Sequence, residues 1–274
     1  MIMTRRRFIL TAAGILVPAL PKVVTAQGPF VEVRPKTLKP PFGSVQINRG
    51  HPLANRLVSC LLMNEQITSL VDLARPMRGT GGTGQSIVQT ARGAALACGG
   101  TTLETFSPAN PAWLQFTTRY TALTVCRYLT QANNHPVVAK WGLDEAYLPL
   151  ILLPQNTPAT FIRVAGANQS ATALTTYADN RFYSWFGFYD GANVRLRGFN
   201  DAGGLVENVT GSATTGPIDN PATGVDFVIG GYNDGILPFV GDILLVYLWD
   251  RVLSLTEMAW LAAEPYAFLP SIPA

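Results

Sequence analysis

Short apolar runs alternate with turn residues along most of the chain. Runs at 58–63, 94–98, 121–130, 136–141, 147–153, 160–164, 171–176, 182–189, 194–199, 205–209, 227–229 and 243–249 are rich in β-branched and aromatic residues, with Gly, Asn and Asp between them. Strands at this spacing predict an antiparallel sandwich or jelly roll. Asp190-Gly191 lies between two of the runs and predicts a tight hairpin, because both residues tolerate positive φ. Gly230-Gly231 and Asp234-Gly235 mark a second tight connection. Tyr183, Trp185 and Tyr189 share one face of the 182–189 run by period two, while Phe182, Phe186 and Phe188 occupy the other. A strand apolar on both faces reads as a central strand covered on both sides.

The period changes near the end of the chain. Ser254 and Glu257 fit a capping box, with Leu253 and Met258 at staple spacing. Leu255, Met258 and Ala262 give the apolar stripe of one short helix, which Pro265 terminates. Tyr266, Phe268 and Leu269 are then placed to pack the tail onto the sheets.

The first 44 residues follow neither pattern. Thr4, Arg5, Arg6, Arg7 and Phe8 resemble a twin-arginine export signal, followed by an apolar stretch to Leu20 that is short for a bilayer span. Residues 1–26 therefore read as a signal peptide cut ahead of Gln27, the alternative being a retained anchor. Export would leave the protein periplasmic, at the cell surface or extracellular. Residues 27–44 read as an extended Pro-rich lead-in, and 45–274 as one sandwich domain.

Charge changes the picture once the signal is set aside. The formal net charge is +3, but the first 26 residues hold Arg5, Arg6, Arg7 and Lys22 and no acid. Without them the 20 Lys+Arg become 16 against 17 Asp+Glu, a balance near −1. That gives no electrostatic case for a nucleic-acid partner or an anionic membrane. Only 14 % of residues are charged, with 25 Gly and 20 Pro, which fits many strands joined by turns. Cys60, Cys98 and Cys126 all sit in strand-like runs; one pair could bridge, or all three could be buried thiols.

Phe239, Gly241, Ile243, Val246, Leu248 and Trp249, then Leu253, Ser254 and Glu257, resemble the closing strand and helix of laminin-G-like domains in the concanavalin A-like lectin/glucanase superfamily. Leu245 departs from the pattern, where the family often has an acid. Asn48 to Ala54, residues 57–65, Gly93 to Leu96, residues 120–129, Trp185 to Gly191 and Phe227 to Gly231 resemble further family segments in order. The resemblance implies a concanavalin-like jelly-roll sandwich of two antiparallel sheets with one short C-terminal helix. It also implies a fold used for glycan binding, adhesion and catalysis alike.

The familiar chemistry of that fold is absent. No Glu is followed two residues later by Asp, so the paired-carboxylate strand of the β-glucanases is missing. Gly79, Gly81 and Gly84 match a dinucleotide fingerprint by spacing, but a strand-like run and not a helix follows them, so the run reads as a loop. His51 reads as structural and His135 as a loop residue. The ligand-binding candidates are Tyr183, Trp185 and Tyr189 for ring stacking, with Asn193, Arg195 and Arg197 on the next strand for hydroxyls, provided the two faces coincide. Calcium at the sandwich rim, which the family resemblance implies, would take Asp144, Glu145, Asn233 and Asp234; solvated turns are the alternative.

The leading expectation is an exported, non-catalytic recognition module for a glycan or surface polymer, possible calcium assistance included. A structural or adhesion subunit with a protein partner is the second reading. A polysaccharide hydrolase or lyase with dispersed acids is the third, with Asp144, Glu145 and Asp190 the first residues to mutate.

Overall fold

A computed structural model describes residues 45–63, 71–75, 77–80, 86–99, 104–106, 112–128, 135–142, 145–152, 157–177, 180–220, 227–231 and 238–270, together with four short strands before residue 25. The chain divides into two compact units, Met1–Pro35 and Lys36–Ala274. In the first, β1 (Met3–Arg6) pairs antiparallel with β4 (Pro21–Val24), and β2 (Ile9–Leu10) pairs with β3 (Leu16–Val17). Among the described residues no helix is long and apolar enough to cross a membrane.

The second unit is an all-β sandwich of stacked antiparallel sheets with one α-helix. Its strands are β5 (Leu57–Leu62), β6 (Val71–Asp72), β7 (Met77–Thr80), β8 (Ser86–Thr90), β9 (Gly93–Gly99), β10 (Glu104–Phe106), β11 (Tyr120–Tyr128), β12 (Pro136–Gly142), β13 (Glu145–Leu152), β14 (Ala159–Val164), β15 (Ala167–Thr172), β16 (Phe182–Tyr189), β17 (Asn193–Asn200), β18 (Leu205–Ala213), β19 (Phe227–Ile229) and β20 (Val240–Trp249). The front sheet runs β5-β20-β11-β16-β17-β18, and the hairpin β8–β9 joins it through β20. The back sheet runs β10-β19-β12-β13-β14-β15. Strands β6 and β7 connect β5 to β10, so one hydrogen-bonded path continues from the front sheet into the back. On the opposite side the terminal strands β15 and β18 approach without a ladder. There a Cβ on Gly211 would meet the Ser170 carbonyl oxygen at 1.9 Å.

The inner faces of the two sheets form the first core. Leu96, Cys126, Trp185, Tyr189, Leu196 and Val246 of the front sheet pack with Val137, Ile162, Val164 and Ile229 of the back. The outer face of the front sheet is not free. Leu123, Val125, Phe186, Phe188, Phe199, Tyr247 and Trp249 form a second core with Leu53, Met258, Leu261, Phe268 and Leu269. The front sheet is thus the middle of three layers, which is why all eight residues of β16 are buried. Trp249 Nε1 donates to the Leu53 carbonyl at 2.7 Å, so its polar edge is satisfied inside this outer layer.

The helix α1 (Leu255–Ala263) has both halves of its capping box: Ser254 Oγ accepts from Glu257 N–H and the Glu257 carboxylate accepts from Ser254 N–H. Arg251 grips the same carboxylate through two donors at 3.0 and 2.7 Å. Its buried face is Met258, Leu261 and Ala262. Leu255, expected in that stripe, is 47 % exposed and lies outside the buried face.

The Asp190-Gly191 hairpin forms between β16 and β17, with a division of labour. Only Gly191 takes positive φ, at 97°. Asp190 instead accepts from the Ala192 and Asn193 N–H groups at 2.9 and 2.8 Å. Gly79, expected in a loop, lies in β7, while Gly81 and Gly84 lie outside the described residues. Cys60, Cys98 and Cys126 are buried and none forms a disulfide. Burial pushes the Cys60 and Cys126 thiols up, which keeps them protonated and inert.

Candidate functional site

Tyr183, Trp185 and Tyr189 do share a face of β16, and that face is the inter-sheet core. Trp185 and Tyr189 are fully buried. Tyr177 closes over the group, its ring edge-on to Trp185 at 4.8 Å and to Tyr183 at 5.3 Å. Glu207 holds that lid by accepting from Tyr177 Oη at 2.8 Å and from Leu174 N–H at 3.2 Å.

Asn193, Arg195 and Arg197 also share a face, but it is the other one. Arg197 pairs across the ladder with Phe186 and Arg195 with Phe188, whereas Trp185 faces Gly198. Directly opposed residues lie on the same side of a sheet. The aromatic and cationic sets expected to form one surface are therefore back to back, which corrects that expectation. Both arginines are also engaged within the fold. Arg195 Nε donates to Asp190 Oδ2 at 2.8 Å. Arg197 Nε donates to Asn208 Oδ1 at 3.0 Å, and its guanidinium lies 5.1 Å from the Phe188 ring centroid.

Among the calcium candidates, Asp144, Asn233 and Asp234 lie outside the described residues, and of Glu145 only the backbone position at the start of β13 is described. No three His, Cys, Asp or Glu side chains gather as a metal site among the described residues. His51 Nδ1 accepts from Leu53 N–H at 3.2 Å, capping a turn of 3₁₀ helix over Pro52–Ala54. His135 Nδ1 donates to the Pro238 carbonyl at 2.6 Å.

Two recesses among the described residues lie elsewhere. A cleft of about 370 Å³ opens at one end of the front sheet, lined by Thr90, Arg92, Arg127, Arg181, Asn200 and Asp201 among others. A second recess of about 340 Å³ adjoins it and shares Arg127 and Asn180. Arg127 and Phe182 are direct cross-strand partners there, continuing the outer face beyond the packed phenylalanines. Arg127 lies 5.2 Å from the Phe182 ring centroid, and its Nε donates to Asp242 Oδ2 at 2.7 Å from the opposing residue of β20. Ion pair and ring fix its guanidinium as a flat wall between the two recesses.

The second wall is the β8–β9 turn. Thr90 Oγ1 donates to the Gly93 carbonyl at 2.7 Å and accepts from Arg92 N–H at 3.1 Å, folding Arg92 inward. Arg92 is 5 % exposed, and its Nη2 donates to the Ala262 carbonyl at 3.3 Å. Its Nε and Nη1 are buried and have no hydrogen-bond partner among the described residues. Burial pushes its pKa down from the usual arginine value, countered by Tyr266 and Asp201. Asn180 enters β16 with φ at 63° and donates its N–H to the Tyr128 carbonyl, which turns the chain tightly at the rim. Asn200 Oδ1 accepts from Ala202 and Gly204 N–H, which fixes the turn after β17 at the cleft rim.

None of these residues was a candidate on sequence. The readable signal was Arg127, a lone charge within the otherwise apolar run 121–130. Arg92, Arg181 and Asp201 carry no such signal, because they sit in turns where charge is ordinary.

The fold is a β-sandwich of stacked antiparallel sheets with one helix. No family model and no curated protein sequence matches the chain. Solved structures do. The binding domain of Paraclostridial mosquitocidal protein 1 matches at TM-score 0.60 and 12 % identity, over 78 % of this chain and 53 % of that one. The binding domain of botulinum neurotoxin DC, solved with SialylT, matches at 0.57 and 9 %, over 77 % and 52 %. Domain 4 of an extracellular arabinanase from Geobacillus stearothermophilus, solved with arabinotriose, matches at 0.52 and 14 %, over 76 % and 98 %. The chain thus spans about half the length of the two toxin binding domains and nearly the whole of the arabinanase domain. At these identities the likeness is one of fold.

Proposed function

We propose that this protein is a carbohydrate-recognition module of the laminin-G-like sandwich type, exported and non-catalytic, with the cleft around Arg127 as its binding site. The observation that carries the reading is the composition of that cleft. Guanidinium, side-chain amide and hydroxyl groups converge on a recess of about 370 Å³, within the range of small-ligand sites. Sugar hydroxyls need such convergent donors and acceptors. A hydrolytic pair needs two carboxylates placed for acid/base work, whereas here Asp242 is engaged by Arg127 and Asp201 is the other acid of the two recesses. The arabinanase domain, solved with arabinotriose, supports the reading as a neighbour of nearly the same extent.

The test is a glycan array probed with the purified chain, with and without chelator. Binding to a defined glycan that is weakened at least tenfold in Arg127→Ala, with folding intact by circular dichroism, is expected. Loss of signal with chelator would assign calcium a part. Absence of binding to every glycan, or unchanged binding in Arg127→Ala, would overturn the assignment of the cleft.

A further inference from the structure

We propose that the smaller recess is the primary subsite and takes a neutral sugar unit by two adjacent hydroxyls, one accepting from Arg127 and the other donating to Asp242. This rests on the carbohydrate reading above and narrows it to a ligand class and a position.

The register of the front sheet is the first ground. Ser86 opposes Ala97, Ala97 opposes Asp242, Asp242 opposes Arg127, and Arg127 opposes Phe182. Directly opposed residues share a side of the sheet, with Cβ atoms about 4.5–5.5 Å apart. One row therefore crosses strands β8, β9, β20, β11 and β16 on the outer face: hydroxyl, methyl, carboxylate, guanidinium, ring. The first four line the smaller recess, and Phe182 lines the larger. Ala97 carries only a methyl, and Gly99, two residues on along the same face, carries no side chain, so the floor stays low beside Asp242. A Cβ on Gly99 would meet nothing within 4 Å.

The unmet atoms of the ion pair are the second ground. Arg127 Nε and Nη2 both donate to Asp242 Oδ2. Arg127 Nη1 and Asp242 Oδ1 bond no described residue, and neither is buried. The pair thus leaves one donor and one acceptor accessible, and the Phe182 ring 5.2 Å away holds the guanidinium in place. A hydroxyl both donates and accepts, so two adjacent hydroxyls of one sugar ring can meet both atoms together. Bonds to ionised groups are the stronger kind.

Charge is the third ground. Arg127 and Asp242 are the only ionised side chains lining the smaller recess among the described residues, and they cancel. A sugar carboxylate or sulfate would face the Asp242 carboxylate with no surplus cation beside it, whereas a hydroxyl donates to it. At about 340 Å³ the recess is near the lower end of small-ligand sites, which suits a short neutral segment.

The test is titration calorimetry on the full-length chain with mannotriose, cellotriose and arabinotriose, the O-methylated form of each, and trigalacturonate. The tightest neutral sugar is expected to bind at least tenfold better than its O-methylated form and than trigalacturonate. Asp242→Asn is expected to weaken it at least tenfold and, by leaving Arg127 uncompensated, to strengthen trigalacturonate at least threefold. Gly99→Leu fills the recess from a position that touches no other part of the fold, and keeps the test decisive if Asp242→Asn does not fold. It is expected to weaken the neutral sugar at least tenfold with an unchanged melting temperature. Unchanged affinity in Gly99→Leu would move the sugar to the larger recess and overturn the proposal while leaving the carbohydrate reading intact. So would trigalacturonate binding more tightly than every neutral sugar, or a positive glycan array with no binding of the three neutral sugars. An empty array together with no binding of any sugar would remove both readings.

Discussion

Gly198→Ala is the sharpest test of how the inner core is built. A Cβ added at Gly198 would lie 2.2 Å from Trp185 Cζ3, 2.7 Å from Cη2 and 2.8 Å from Cε3. Ordinary carbon contacts are about 3.5–4.0 Å, so the indole must retreat by roughly 1 Å or more. Trp185 has no exposure and is enclosed by Tyr183 and the Tyr177 lid, so no space receives it. Overpacking of this kind costs about 1–3 kcal/mol, offset by up to about 1 kcal/mol for the lost flexibility of glycine. A net loss of about 2 kcal/mol is expected, which for a domain of this size lowers Tm by about 4–8 °C. The control is Trp185→Phe, which removes the atoms that clash and also an indole N–H with no partner among the described residues. In the double variant the alanine no longer meets the ring. Urea denaturation of all four proteins should give a coupling energy of at least about 1 kcal/mol. Additive single effects, or an unchanged melting temperature in Gly198→Ala, would refute the packing argument.

Two further outcomes are expected. Ser254→Ala removes the oxygen that accepts from Glu257 N–H at 3.2 Å and should cost about 1 kcal/mol, read as a Tm decrease of about 2–4 °C with the sheet circular dichroism unchanged. Lys140 is fully buried, and burial pushes its pKa from 10.5 down to about 8. Below about pH 8 both folded and unfolded states bind the proton; between 8 and 10.5 the unfolded state binds more, so this group alone raises stability across that window, by up to about 3 kcal/mol. The buried Cys60 and Cys126 thiols, pushed up, act in the opposite sense over the upper part of the window. The gap between the urea midpoints of the protein and of Lys140→Met should therefore widen in favour of the protein from pH 7 to 10.5, and a constant gap would refute the Lys140 argument.

Much of the sandwich was legible because its long strands announce themselves. The runs 182–189 and 243–249 are apolar on both faces, and the front sheet turns out to be covered on both. The capping box likewise forms as its two residues require. Strands β6 and β10 left no mark, since two or three residues held by neighbours on either side carry no periodicity of their own. β15 (Ala167–Thr172) begins four residues before the predicted run 171–176, because Asn168 and Gln169 are polar on an exposed margin and pairing with β14 alone defines them. The site was the least legible part. Period two placed Trp185 and Arg197 each on the correct side of its own strand, but which sides coincide is set by the hairpin register, and that depends on a three-residue turn in which Asp190 accepts rather than taking positive φ. The cleft residues come from three turns and two strand ends that the long-range pairing of the front sheet brings together.

The sandwich has a spine and a seam. On one side β6 and β7 carry backbone pairing without a break from the front layer to the back. On the other, β15 and β18 meet only because Gly211 has no side chain to hold Ser170 away. The two layers are therefore hinged like the covers of a book, with backbone hydrogen bonds as the binding and a single missing methyl as the clasp. Any side chain at position 211 would act as a bookmark, levering apart the edge at which Tyr177 and Glu207 close over the inner aromatic core.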